Sequence, residues 1–99
     1  MFSIVPIKGS ELSRYDADKE LLRTAIMAEL DAINLYEQMA DTTENGALKK
    51  IFLDVAREEK THVGEFQALL ISLDPQHADE LRTGEQEVME KTEVRNEAA

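Results

Sequence analysis

The sequence predicts an all-α fold in which an antiparallel two-helix hairpin is followed by a short C-terminal helix. Three observations support this prediction. Two long segments are rich in Ala, Leu, Met and Glu, which favour helix. Their large apolar residues recur at alternating steps of four and three residues, as on one face of a helix. Hardly any segment has the alternating pattern of a strand, and 99 residues are enough for one small domain.

Residues 1–15, which include a proline and a glycine, are predicted to form an extended N-terminal arm. The first helix is predicted to begin at Asp16 or Asp18, because a short aspartate side chain can accept hydrogen bonds from the free N–H groups of a first turn. It should continue to about Thr43, since neither glycine nor proline interrupts that segment.

The connection between the first two helices contains Asn45 and Gly46, which tolerate the positive φ angles common at helix ends and tight turns. The second helix is predicted from about Ala47 to Leu73. Each of the two helices then has about 26 residues, or roughly 39 Å of length. A connection this short predicts an antiparallel hairpin over residues 16–74.

The pair Asp74-Pro75 is predicted to end the second helix and to start the third, with the aspartate as N-cap and the proline in the first turn. This helix is predicted to reach about Val94 within the C-terminal segment 75–95. The last residues, 96–99, are predicted to be a disordered tail.

Three polar residues interrupt the apolar seam that should join the two long helices. On the second helix, the seam positions are Leu48, Phe52, Val55, 59, 62, Phe66, Leu69 and Leu73. On the first helix, they are Leu22, Ile26, 29, Ile33, Tyr36 and Ala40. The interruptions are Glu29, Glu59 and His62. They lie near the middle of their helices, so antiparallel packing brings them to similar heights.

A carboxylate buried without a partner is unfavourable, so it must be paired, protonated or bound to a metal ion. Taken singly, a glutamate at the edge of a seam can reach solvent, and a histidine can be a hydrogen-bonded core residue. Taken together, Glu59 and His62 lie three residues apart and point to the same side of one helix, and Glu29 can face them from the other. The three residues therefore predict a metal site.

The hairpin can bury its seam only against more protein, because the third helix has few large apolar residues. A two-fold dimer of hairpins would form a four-helix bundle with four carboxylates and two imidazoles. Ferritin-like di-iron bundles use this set, with one Glu from each of two helices and Glu-x-x-His from each of the other two. The sequence thus predicts a site between two chains.

The segments 29-ELDAINLYEQMA-40 and 55-VAREEKTHVGEFQALL-70 resemble those of the encapsulated ferritins, half-ferritins that dimerise to build a ferroxidase centre inside encapsulin shells. The resemblance covers about residues 18–95. It implies oxidation of Fe(II) to Fe(III) by O2 at a di-iron centre shared between two chains, with Mn or Zn as competing metals. It also implies a cytoplasmic homo-oligomer, a ring of dimers such as a decamer, that works with the shell protein inside an encapsulin nanocompartment and feeds iron storage there.

The resemblance also assigns roles to residues. The three residues that interrupt the seam match the iron ligands of the family, and Tyr36 matches an aromatic residue beside the centre; a core tyrosine is the alternative. Asp31 matches an acidic residue where metal reaches the centre, but Ala28 replaces a second carboxylate there. The third helix, in segment 75–95, matches the part that mediates contacts between dimers. The end 95-RNEAA-99 lacks a shell-docking peptide, which predicts a truncated chain or the front part of a fusion to the shell protein.

Composition argues against several other functions. A net charge of −10 disfavours binding to nucleic acid or an anionic membrane through a basic patch. The absence of cysteine excludes disulfides, thiolate nucleophiles and Cys-ligated metals, and it fits an intracellular protein. No run of about 18 apolar residues predicts a membrane span.

Two alternative functions stay open. A rubrerythrin-like di-iron peroxidase is disfavoured by the absence of a cysteine-ligated electron-transfer domain. A non-catalytic helical dimerisation module explains the seam but not its three interruptions. Glu65 follows His62 by three residues, so it either supports the site from outside the ligand set or lies on a solvated face. The other candidate residues are predicted to lie on solvated faces or, in the third helix, at contacts between dimers: Glu58, His77, Glu85, Glu87 and Glu90.

Overall fold

The computed structural model describes residues 13–95 and folds them into three helices with no strand in that range, which confirms the predicted fold class. The helices are α1 (Arg14–Thr42), α2 (Gly46–Leu73) and α3 (Pro75–Thr92). Residues 1–12 of the predicted arm and the tail predicted at 96–99 lie outside the described residues. Within the described range, every helix is too polar or too short to traverse a lipid bilayer.

The start of α1 differs from the prediction. The helix begins at Arg14, so Tyr15 belongs to it and not to an extended arm. Ser13 is the N-cap in place of Asp16 or Asp18: its Oγ accepts a hydrogen bond from the Asp16 N–H at 3.1 Å and donates one to the Asp16 carboxylate at 3.0 Å. A hydroxyl can both accept and donate, whereas an aspartate at the cap can only accept.

The connection between α1 and α2 also differs from the prediction. Asn45 has a φ of −84° and caps α2, because its side-chain oxygen accepts hydrogen bonds from the N–H groups of Ala47 and Leu48 at 2.9 and 3.1 Å. Gly46 is the first residue of α2, and no glycine in the described residues has a positive φ. The turn therefore depends on the capping amide of the asparagine and not on a left-handed backbone.

The core of the hairpin lies between α1 and α2. Ile33 and Ala40 of α1 and Ala56 and Leu70 of α2 are buried, with at most 9% of each residue exposed. The two α1 residues belong to the predicted seam, but each α2 residue lies one position after a seam residue. Leu69, a predicted seam position, is 56% exposed. The apolar face of α2 is thus wider than one seam, and part of it faces away from α1.

The helix α3 starts as predicted, with Asp74 as N-cap and Pro75 in the first turn. It ends at Thr92, two residues before the predicted end at Val94. The next residue, Glu93, has left-handed backbone with a φ of 64° and ends the helix. No described residue of α3 is buried, and α3 packs against α2 and not against α1. The dimensions of 48 × 40 × 20 Å fit an α3 that projects sideways from the hairpin.

Candidate metal centre

The three residues that interrupt the predicted seam lie together at the centre of the hairpin. Glu29 is near the middle of α1, and Glu59 and His62 are near the middle of α2. One heptad away on both helices, the rings of Tyr36 and Phe52 are in contact, with centroids 6.3 Å apart. This contact fixes the register in which Glu29 lies opposite Glu59.

The ligand atoms of the three side chains lie close to one another. Nδ1 of His62 lies 3.3 Å from Oε2 of Glu29 and 3.7 Å from Oε2 of Glu59. One such atom from each residue lies within 4.8 Å of the other two. Oxygen and nitrogen ligands bound to one ion at about 2.0–2.2 Å would be about 3–4 Å apart. The cluster therefore already has nearly the size of a coordination sphere.

The two carboxylates are shielded, whereas the imidazole is accessible. The side chains of Glu29 and Glu59 are 18% and 19% exposed, and that of His62 is 42% exposed. Leu48 and Leu69 lie at multiples of seven residues from His62, on the same side of α2, and both are about half exposed. The exposed apolar residues on the same side of α2 as His62 form what we call the outer apolar face: Leu48, Ile51 and Leu69.

The cluster is short of positive charge, and this shifts its protonation. A hydrogen bond with Glu29 raises the pKa of Glu59, and burial and the charge of Glu29 add to the shift. The hydrogen bond to Glu29 also raises the pKa of His62 above its usual value of 6.5; burial acts against this, while Glu59 and Glu65 support it. The pKa of Glu59 rises because a second carboxyl group lies beside it and His62 only partly offsets this effect, and the pKa of His62 rises because two carboxyl groups lie beside it.

This set of donors fits a divalent first-row metal ion. Carboxylate oxygens and an imidazole nitrogen suit Fe²⁺, with Mn²⁺ and Zn²⁺ as competitors. Two carboxylates balance the charge of one divalent ion, so binding would remove the repulsion between Glu29 and Glu59. Three ligands from one chain also leave coordination positions open for other ligands.

The other residues implied by the resemblance lie outside this cluster. Tyr36 is half-buried against Phe52, one heptad from Glu29. Asp31 is exposed, and its two-residue offset from Glu29 turns it toward the other side of α1. Ala28 is half-buried, so the position that could have carried a second carboxylate is not on an open surface.

Most of the remaining candidates lie on the surface, as predicted. Glu58 and Glu65 are exposed, and so are the three acidic candidates of α3, Glu85, Glu87 and Glu90. Glu65 is close enough to His62 to affect its pKa. His77 differs from the prediction, because it is half-buried and its backbone N–H donates to the Asp74 carboxylate at 3.1 Å.

Two ion pairs between elements were not predicted. Arg23 Nη2 lies 3.1 Å from Asp74 Oδ2, and Lys60 Nζ lies 3.0 Å from Glu37 Oε2. Local sequence patterns carry no signal for either pair, because the partners are far apart in the chain. They meet only through the way the helices pack.

Comparison with known proteins relates the chain to rubrerythrins and to ferritin-like proteins of encapsulin compartments. The rubrerythrin family model matches residues 20–98. A ferritin-like-encapsulin shell fusion protein of Pyrococcus furiosus is 63% identical over 96 residues, which cover 95% of this chain and 28% of that protein. The encapsulin nanocompartment cargo protein EncC of Myxococcus xanthus is 42% identical over 78 residues, which cover 77% of this chain and 55% of that protein. The chain thus spans from about a quarter to about half of the length of these curated relatives.

A solved structure supports the same relationship. The crystal structure of the encapsulated ferritin domain from Pyrococcus furiosus matches with a TM-score of 0.82 and 52% sequence identity. The match covers 91% of this chain and 97% of that one. At this identity, the likeness extends beyond the fold alone.

Proposed function

This chain belongs to the rubrerythrin family and, within it, to the encapsulated ferritin-like proteins, and on that premise we propose that it is a ferroxidase. It oxidises Fe(II) to Fe(III) with O2 at a di-iron centre shared between two chains. The observation that carries the proposal is the cluster of Glu29, Glu59 and His62 at the centre of the hairpin. Iron is the substrate, and these three residues are its ligands.

The exposure of His62 supports a centre that a second chain completes. Its imidazole lies in the outer apolar face, which has no cover in one hairpin. A second copy packed there about a two-fold axis would cover the exposed leucines and add the same three ligands. The four carboxylates and two imidazoles would match the ligand set of ferritin-like di-iron bundles. Four negative charges would also balance two Fe²⁺ ions.

The ligands have distinct roles in the proposed reaction. Glu29 and Glu59 hold and bridge the substrate ions, and their oxygen atoms favour the loss of an electron because they bind the harder Fe³⁺ more strongly. His62 binds one side of each substrate ion through an imidazole nitrogen and so helps to fix the position of that ion. Two Fe²⁺ ions give one electron each to O2, which takes up two protons from solvent and becomes hydrogen peroxide.

Two further residues support the centre in this proposal. Tyr36, packed on Phe52 one heptad from Glu29, donates a hydrogen bond to a ligand carboxylate or intercepts an oxidising equivalent. Asp31 is exposed on the other side of α1 from Glu29, and its charge attracts incoming Fe²⁺ to this part of the surface. Neither residue is a ligand.

The names of the relatives support a role within a protein compartment. One is a fusion of a ferritin-like part to an encapsulin shell, and another is an encapsulin cargo protein. The chain therefore assembles, in our proposal, as dimers and rings of dimers inside an encapsulin shell in the cytoplasm. Fe(III) made at the centre is stored in the lumen of that shell.

Anaerobic loading with Fe²⁺, followed by exposure to air, tests the proposal. Fe(III) absorbance and native mass are recorded together. The wild-type protein should oxidise iron rapidly and bind about one iron per chain in an even-numbered oligomer. Glu59→Gln keeps the shape but removes the charge, so oxidation should fall to the rate without protein. Glu58→Gln, at the exposed neighbouring position, is the matched control and should behave as wild type.

Each part of the proposal has an outcome that contradicts it. Wild-type oxidation by Glu59→Gln would show that Glu59 is not a ligand. Full activity in a monomer would rule out a shared centre. Faster turnover with hydrogen peroxide than with O2 would favour the rubrerythrin-like peroxidase. The match to the rubrerythrin family is the observation that supports this alternative. Stable dimers that bind no iron would favour the non-catalytic dimerisation module.

A further inference from the structure

The junction between α2 and α3 contains a carboxylate that joins α3 to α1. Oδ1 of Asp74 accepts a hydrogen bond from the His77 N–H at 3.1 Å and so caps the first turn of α3. Oδ2 of the same side chain accepts one from Nη2 of Arg23 in α1, also at 3.1 Å. Each oxygen thus has one partner, and the two partners belong to different helices.

The rest of α3 is weakly attached to the hairpin. No described residue of α3 is buried, and α3 does not pack against α1. Of its large apolar residues, Leu81 and Val88 are 38% and 49% exposed, and Met89 is half-buried. The direction in which α3 leaves the hairpin is therefore set near Asp74 and not by packing along its length.

The junction is electrostatically favourable. The Asp74 side chain is 16% exposed, whereas that of Arg23 is 48% exposed. The His77 N–H holds the pKa of Asp74 below its usual value, and Lys19 and Arg23 contribute to the shift while burial opposes it. Lys19 is itself held in place by Asp16, 3.5 Å away, and by the ring of Tyr15, whose centroid is 4.5 Å away.

We infer that Arg23 and Asp74 form an angular joint, which fixes the direction of α3 relative to the hairpin. The chain connection and the contacts with α2 leave α3 some freedom to swing about Asp74, because α3 does not pack against α1. The ion pair with Arg23 removes that freedom. The hydrogen bond that Asp74 accepts from the His77 N–H keeps the first turn of α3 helical. Breaking the ion pair should release the direction of α3 without unfolding either α1 or α2.

Distance measurement between two spin labels tests the joint. The chain has no cysteine, so Lys50→Cys in α2 and Gln86→Cys in α3 provide the only labelling positions. Labelled chains are mixed with an excess of unlabelled chains, so that each assembly holds one labelled copy. The background protein should give one narrow distance distribution.

Two substitutions separate the ion pair from the cap. Arg23→Gln removes the cation and leaves the cap intact, and Asp74→Asn removes the charge but keeps a side chain that caps well. Both should broaden and shift the distance distribution, and 1 M salt should do the same to the background protein because it screens the ion pair. Arg57→Gln breaks an ion pair of similar length inside α2 and should change nothing.

The inference fails if both variants give the distribution of the background protein while circular dichroism shows full helix content. It also fails if Arg57→Gln broadens the distribution as much as Arg23→Gln does, because the effect would then be a general loss of charge. The readout does not involve iron, so its outcome is independent of the proposed ferroxidase activity.

Discussion

The centre of the hairpin and the α2–α3 junction both bring acidic and cationic side chains of different elements together, but with opposite charge balance. At the centre, the carboxyl groups of Glu29 and Glu59 share the single imidazole of His62. At the junction, Asp74 meets the guanidinium of Arg23, has a second cation near it and accepts a backbone hydrogen bond. The positive charge at the centre does not balance its two carboxyl groups, whereas at the junction Arg23 and Lys19 balance the charge of Asp74.

The pKa shifts differ in sign for this reason. The hydrogen bond with Glu29 raises the pKa of Glu59. The N–H of His77, helped by Arg23, lowers the pKa of Asp74. A carboxyl group with a raised pKa lies where an added cation would stabilise its charged form. One with a lowered pKa already has cations or hydrogen-bond donors that stabilise this form. On an acidic chain, this is the difference that we expect between a candidate metal site and a structural ion pair.

The largest effect should come from closing the seam at the centre. Replacing Glu29, Glu59 and His62 together with leucine removes every proposed ligand and makes the seam continuous. Iron oxidation should fall to the rate without protein. The melting temperature in chelator should rise, because well-packed apolar residues often stabilise a protein more than buried charges do. Absorbance assays and calorimetry measure the two effects. A lower melting temperature would show that the cluster stabilises the metal-free fold.

The next largest effect should be the response of the metal-free centre to pH. The pKa values of Glu59 and His62 are raised in the folded protein. Their stabilising contribution is therefore complete below the usual values of 4.5 and 6.5 and is lost as pH rises through the higher folded values. Chelator-treated protein should melt at lower temperature as pH rises from about 5 to about 8.

Metal should reverse this trend, because it binds the deprotonated ligands. With Fe²⁺ under nitrogen, the melting temperature should rise over the same pH range. The triple leucine variant is the control and should show a weaker dependence on pH in chelator. An equal slope in wild type and variant would assign the pH dependence to other groups.

A smaller effect should distinguish the two functions of Asp74 at the junction. Asp74→Ala removes both the cap and the ion pair, whereas Asp74→Asn keeps the cap. Backbone amides in the first turn of α3 should exchange with deuterium about five-fold faster in Asp74→Ala than in Asp74→Asn, which corresponds to a typical loss of a cap. Hydrogen exchange read by mass spectrometry measures this. Equal exchange would show that the cap contributes little to α3.

The smallest effect should come from an ion pair that belongs to neither region. Arg57 and Asp54 lie 3.0 Å apart on the exposed side of α2, three residues apart in sequence. Arg57→Gln should leave the urea midpoint of unfolding nearly unchanged, because exposed pairs are screened by water and salt. Urea denaturation measures it. A clear loss of stability would show that an exposed ion pair within one helix can matter as much as an ion pair between two elements.

The sequence could predict the candidate site because its residues obey the period of a helix. Three polar residues on an otherwise apolar seam, at matching heights on antiparallel helices, had to meet once the helices paired. The same reasoning did not identify which α2 residues a single hairpin buries against α1. Periodicity locates an apolar face, but it does not say which edge faces α1, so Ala56 and Leu70 are buried where Val55 and Leu69 were expected.

Other features could not be predicted because several residues compete for them or because they depend on packing. Ser13, Asp16 and Asp18 are all suitable caps, and only the reciprocal bond between Ser13 and Asp16 decides among them. The pairing of Arg23 with Asp74 depends on the angle between α1 and the start of α3, which no local pattern encodes.

The sideways projection of α3 has a consequence for symmetry. If copies of the chain meet through α3, each copy applies the same rotation to the next, and a ring closes only when these rotations sum to a full turn. An error of direction at one junction is then repeated by every copy, so it accumulates around the ring. Under the proposed joint, a single contact between a guanidinium and a carboxylate within one chain would govern how many subunits a closed ring can hold.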